Sequence, residues 1–80
     1  MEFKKIEELG EHHEEVIGFN KNWICEDFNP NGTRLCFQTD VGDLGWCSLR
    51  WNNDQDDWFA RYDSAPTHYI EMPSTKSLIQ

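Results

Sequence analysis

Apolar and polar positions along the middle of this chain fall into strand-sized runs set apart by turn-forming residues. The runs cover residues 23–28, 33–39, 45–51 and 58–62. Between them lie Asn29-Pro30-Asn31-Gly32, Asp40-Val41-Gly42-Asp43-Leu44-Gly45 and Asn52-Asn53-Asp54-Gln55-Asp56-Asp57. Short runs at a regular spacing of about 8–12 residues, with turn chemistry in each gap, predict an antiparallel meander. Pro30 presets φ and Gly32 accepts the positive φ that closes the first of these turns. Alternation assigns faces. Leu35 and Phe37 share one face of their strand, with Arg34, Cys36 and Gln38 on the other. Cys47, Leu49 and Trp51 likewise oppose Trp46, Ser48 and Arg50. The expected dry face therefore carries Leu35, Phe37, Leu49 and Trp51, and Trp46 falls on the wetter one.

Upstream the period changes. Phe3, Ile6, Leu9 or Gly10, His13, and Val16 or Ile17 recur at helical spacing among Glu and Lys residues, which predicts a short amphipathic helix over about 2–13. Gly10 is a candidate early stop. Residues 14–19 read as a strand that Gly18 softens, and residues 67–72 as an edge strand ended by Pro73, which cannot donate to a ladder. Residues 74–80 read as a tail. The expected fold class is α+β. A short N-terminal helix packs on a small antiparallel β-meander of four to five strands, with the sheet over about 14–72, in a single domain spanning 1–80.

Eighty residues bury only about 60–65% of their extended surface, so nearly every large apolar side chain is needed for the core. Four Trp, five Phe and two Tyr meet that need. Seven basic residues against fifteen acidic ones give a net charge of −8. That balance disfavours direct nucleic-acid binding, which requires clustered Lys and Arg, and favours a basic partner surface. Cys25, Cys36 and Cys47 are odd in number and no secretory signal precedes them, which points to free thiols in the reducing cytoplasm of a host cell. No apolar run reaches membrane-spanning length, so no membrane association is expected.

Motifs for chemistry are weak. The cysteines lack the paired C-x₂₋₄-C spacing of structural zinc, and their strands present them to different faces. His12-His13-Glu14-Glu15 places neighbours on one element, where adjacent side chains do not converge on an ion. The acidic stretch 52–57 lacks the central Gly and terminal Glu of a calcium loop. His68 has no nucleophile motif beside it, and no G-x-S-x-G or phosphate-cradling Gly loop occurs. The expectation is no enzyme, no catalytic residue, no metal and no cofactor.

Several segments together resemble a known family. They are Glu15-Val16-Ile17-Gly18-Phe19; Trp23-Ile24-x-Glu26-Asp27-Phe28-Asn29-Pro30-x-Gly32; Trp51-Asn52-Asn53-Asp54-Gln55-Asp56; and Pro66-Thr67-His68-Tyr69-x-x-Met72-Pro73. The pattern resembles the small phage and prophage domain of unknown function numbered 551, over about residues 14–73. The chain departs from it at Tyr69, where Trp is usual, and at Ser74-Thr75, where a second Pro follows. The resemblance implies a phage-related origin and a small sheet-containing fold, and carries no catalytic residues with it.

Two functional expectations follow. In the first, the chain is a non-enzymatic phage-type inhibitor that binds a host protein with a basic surface. One version is counter-defence of the anti-CRISPR or anti-restriction kind, by occluding a nucleic-acid-binding surface. Its contact residues are Asp40, Asp43, Asp54, Asp56 and Asp57, with Trp46 as aromatic anchor. In the alternative, it sequesters a small nucleotide-like ligand. Trp23 and Trp58, with Trp46, stack a base, and Arg34, Arg50 and Arg61 pair with phosphate. The −8 charge weighs against the second.

Overall fold

The computed structural model describes residues 2–12, 14–52, 54–73 and 76–78. Its six strands are β1 (Lys4–Lys5), β2 (Val16–Phe19), β3 (Thr33–Gln38), β4 (Trp46–Asn52), β5 (Asp57–Arg61) and β6 (His68–Glu71). They form one antiparallel sheet in the order β1-β6-β2-β3-β4-β5. Strands β3 to β5 run as the expected meander, but the strand that pairs ahead of β3 is β2 and not the run 23–28. The last strand returns to pair with the free side of β2, and β1 pairs outside it.

This corrects the α+β expectation. Among the described residues there is no α-helix, only 3₁₀ turns at Ile6–Glu8, Lys21–Trp23 and Lys76–Leu78. The helix expected over 2–13 is replaced by β1 and a single turn. A spacing of three between Phe3, Ile6 and Leu9 is the period of a 3₁₀ turn as well as a near match to an α-helix. An isolated α-helix this short is marginal, whereas the sheet edge satisfies the backbone at once: the Ile6 N–H donates to the Thr67 carbonyl at 3.0 Å. Gly10 then takes φ +66°, which ends any helical path.

The strand expected over 23–28 is also absent. Asn20 caps the turn Lys21–Trp23, its Oδ1 accepting from the Asn22 N–H at 2.9 Å. Residues 26–28 then turn inside an isolated Cys25↔Asn29 bridge. The Pro30–Gly32 turn forms as expected, with Gly32 at φ +66° donating its N–H to the Asn29 carbonyl at 3.2 Å.

The facing assignment is inverted. The pairs Val16↔Cys36, Cys36↔Ser48 and Gly18↔Tyr69 place these residues on one face. That face holds the core: Val16, Cys36 and Ser48 are fully buried and Tyr69 is nearly so. Ile6, Leu9 and Trp46 pack against it. Leu35, Phe37, Leu49 and Trp51 lie on the other face and are only half-buried, although Cys47 beside them is fully buried. The reason is the segment before β6. It is tied across the end of β2 by the Thr67 N–H to the Phe19 carbonyl at 2.8 Å and by Asn20 Nδ2 to the Ala65 carbonyl at 2.8 Å. It brings Pro66 onto the Gly18 side of the sheet.

Candidate binding cleft

Strand β3 changes partners along its length, and the change makes a cleft. Its first part, Thr33 to Cys36, is registered against β2, while its pairing with β4 is confined to Cys36↔Ser48, Phe37↔Cys47 and Gln38↔Trp46. The rest of β4, from Ser48 to Asn52, is registered against β5. The sheet is therefore joined at one end of β3 and β4 and parted at the other. A partly open cleft of about 860 Å³ lies there. Trp23, Arg34, Arg50, Trp51 and Trp58 line it, with apolar surface from Ile24, Phe28, Leu35, Leu49 and Met72.

The capped turn after Asn20 delivers Trp23, which is 5% exposed and donates its indole N–H to Ser64 Oγ at 2.9 Å. The Arg34 guanidinium stacks over that indole, 4.6 Å from the ring centroid. Arg34 Nη1 also donates to Ser48 Oγ at 3.1 Å. Across the β4–β5 hairpin, Trp51 and Trp58 are directly paired and meet edge to face at 5.3 Å.

All three arginines of the chain share one sheet face. Gly18↔Arg34 and Ser48↔Arg61 put two of them on the core side, and Arg50 alternates with Ser48 onto the same side. Burial, and then the nearby positive charge of Arg50, pull the Arg34 pKa below its ordinary value. Arg61 is held by Asp63 through Nη2–Oδ2 at 2.6 Å and Nε–Oδ1 at 3.3 Å. That ion pair raises the arginine pKa and lowers that of the carboxyl. Arg50 is exposed at the mouth.

The sequence-named residues divide accordingly. Of the ligand set, Trp23, Arg34, Arg50 and Trp58 line one cleft, and Arg61 stands on the same face beside Asp63. The sequence reading missed Trp51 as a lining residue. The signal was present, because a tight acidic turn over 52–57 sets residues 51 and 58 opposite each other. The acidic set is not gathered. Asp40 and Asp43 are exposed before β4, and Asp54, Asp56 and Asp57 are exposed after it. A seven-residue strand of roughly 20 Å separates the two groups. Trp46 is half-buried against the core rather than standing free as an anchor.

Among the described residues no three His, Cys, Asp or Glu side chains come together to hold a metal ion. Cys36 and Cys47 are buried on opposite faces and Cys25 is exposed in a turn. His13, of the His-Glu cluster, and Asn53, of the acidic loop, lie outside the described residues. The His68 Nδ1 meets the Thr67 hydroxyl at 2.9 Å, but that hydroxyl also reaches the Phe19 carbonyl at 3.1 Å as part of the tie across β2.

These features define a small all-antiparallel β-sheet domain with a cationic, tryptophan-lined cleft. No described helix is long and apolar enough to cross a membrane. The chain matches no protein-family model, no curated protein and no solved structure. The likeness to the domain numbered 551 therefore rests on the residues quoted above alone.

Proposed function

We propose that the chain is a non-enzymatic cytoplasmic binding module whose cleft takes a small ring-bearing ligand with an anionic end, of nucleoside monophosphate chemistry. One observation carries the reading. In a chain of net charge −8, all three arginines gather on one face, two of them lining a cleft walled by Trp23, Trp51 and Trp58. Arginines set beside one another repel, and Arg34 is partly desolvated as well. A bound anion relieves both costs, and a planar base stacks on the exposed face of Trp58 or fills the apolar interior beside Leu35 and Leu49. The remaining negative charge weakens long-range attraction of anions, so recognition depends on contacts inside the cleft.

Inhibition of a host protein with a basic surface through the acidic loops gains less support. The carboxylates sit at both ends of β4 and form no single face. Two measurements separate the readings. Native mass spectrometry of protein purified under gentle conditions, followed by Trp fluorescence titration with nucleoside monophosphates, tests the cleft. A pull-down from host lysate tests the loops. Saturable quenching, with Arg50→Gln weakening binding about ten- to a hundredfold, supports the cleft. Absence of a retained ligand and of any quenching up to about 1 mM ligand overturns it.

A further inference from the structure

We infer that the outer edge of β5 is a self-association surface, and that it pairs antiparallel with β5 of a second copy about a two-fold axis through Phe59. Strand β5 ends the sheet, and among the described residues only β4 pairs with it. Open strand edges are ordinarily blunted by shortness, lysine, proline or a bulge. The opposite edge follows that rule, since β1 is two residues long and both are lysines. The β5 edge does not. Its five residues, Asp57-Trp58-Phe59-Ala60-Arg61, contain neither lysine nor proline, and Trp58 and Phe59 are exposed.

The sequence of this edge is complementary to itself. Antiparallel pairing about Phe59 sets Asp57 against Arg61 of the second copy and Arg61 against its Asp57, which makes two opposite-charge pairs. Trp58 falls opposite the small Ala60 in both directions, so each indole has room over the neighbouring strand. Phe59 meets its own counterpart at the axis. Backbone groups agree with this register. The Trp58 N–H donates to its own Asp57 carboxylate at 2.7 Å, which marks it as turned away from β4. N–H groups alternate along a strand, so that of Ala60 points outward too. In the two-fold pairing these N–H groups donate to carbonyls of Ala60 and Trp58 in the other copy, and the freed Asp57 carboxylate turns to Arg61 there. The guanidinium has donors enough to keep Asp63 as well. No other centre along β5 pairs both charges with opposites, and that is the argument for a second copy of this chain as the occupant.

A five-residue strand pair with its side chains buries less than the roughly 1,200 Å² of a stable complex, so the dimer forms reversibly. Sedimentation velocity across a dilution series up to about 1 mM checks it. The expected result is a concentration-dependent rise from the 9.5 kDa chain toward twice that mass. The decisive variants are Asp57→Arg and Arg61→Asp. Each alone sets like charges opposite one another and weakens self-association about tenfold or more. Mixed in equal amounts, the two restore opposite charges at both contacts and recover a dimer containing one of each. Far-UV circular dichroism confirms that both variants fold, and Ala60→Pro, which removes an outward N–H, gives an independent block. A wild type that stays at single-chain mass throughout overturns the proposal, as does a mixture that stays as dissociated as its parts. Neither outcome depends on whether the cleft binds a nucleotide.

Discussion

Cys36 and Gly18 lie so close that a methyl group added at position 18 would stand 2.6 Å from the Cys36 sulfur and 2.8 Å from Pro66 Cβ. Both obstacles are packed against the core, so neither can swing aside. Gly18→Ala should cost about 1–3 kcal/mol through overpacking, seen as a lower urea midpoint with an unchanged slope. The same burial pushes the Cys36 thiol up to about 12. A raised acid leaves stability intact below its ordinary value of 9.0 and removes it as pH climbs from there toward the folded value. Urea melts near pH ~7 and ~10.5 should show the loss, and Cys36→Ala should remove most of the difference. Thiol labelling should follow exposure. Cys25 should react in the native protein, while Cys36 and Cys47 should react only on unfolding. Equal labelling of all three in the native state would contradict the buried assignment. Spacing and odd number led to the expectation of free thiols. Which of them were buried was not legible in the sequence, because one residue of register decides it.

The strands show the same division between local and remote causes. The run 33–39 and the run 45–51 became β3 and β4 almost unchanged, since alternation and flanking turn residues act within a few positions. The apolar set along them did not mark the core. Leu49 faces the half-open side, and Val16 the closed one. Val16→Ala should therefore cost about 2–3 kcal/mol, and Leu49→Ala distinctly less despite removing more side chain. Denaturant melts of the two variants side by side check the order, and a reversed order would put the core on the Leu49 face. The N-terminal segment failed for a related reason. Its three-residue spacing suits an α-helix or a 3₁₀ turn equally, and only the Thr67 carbonyl waiting at the edge of the sheet selects the turn.

At the scale of the whole molecule, charge and shape pull in different directions. The surface is acidic overall, yet two of the three arginines, Arg34 and Arg50, line the cleft. Replacing Asp54, Asp56 and Asp57 with Asn lowers the negative charge by three without touching Arg34 or Arg50. Folding should be unaffected, because exposed charges in the β4–β5 turn and at the start of β5 contribute little. Binding of a nucleoside monophosphate should tighten a few-fold at low salt, and the gain should vanish near 1 M salt, where screening acts within about 3 Å. Fluorescence titrations at two ionic strengths measure this. A variant that binds more weakly would place those carboxylates in the contact itself.

Local pattern alone was enough for the short antiparallel strands β3 to β5, the turn at Pro30–Gly32 and the acidic surface. Each depends on residues within about a dozen positions of one another. Long-range packing set which face closed, what became of the N-terminal segment and where the cleft opened. Those outcomes turn on residues 64–71 returning to β2 and on β3 leaving β4 for part of its length. Contacts between segments some fifty positions apart, such as Thr67 with Phe19 at 2.8 Å, set them. Alternation within a strand specifies two faces but carries no label for the one that a distant segment will cover.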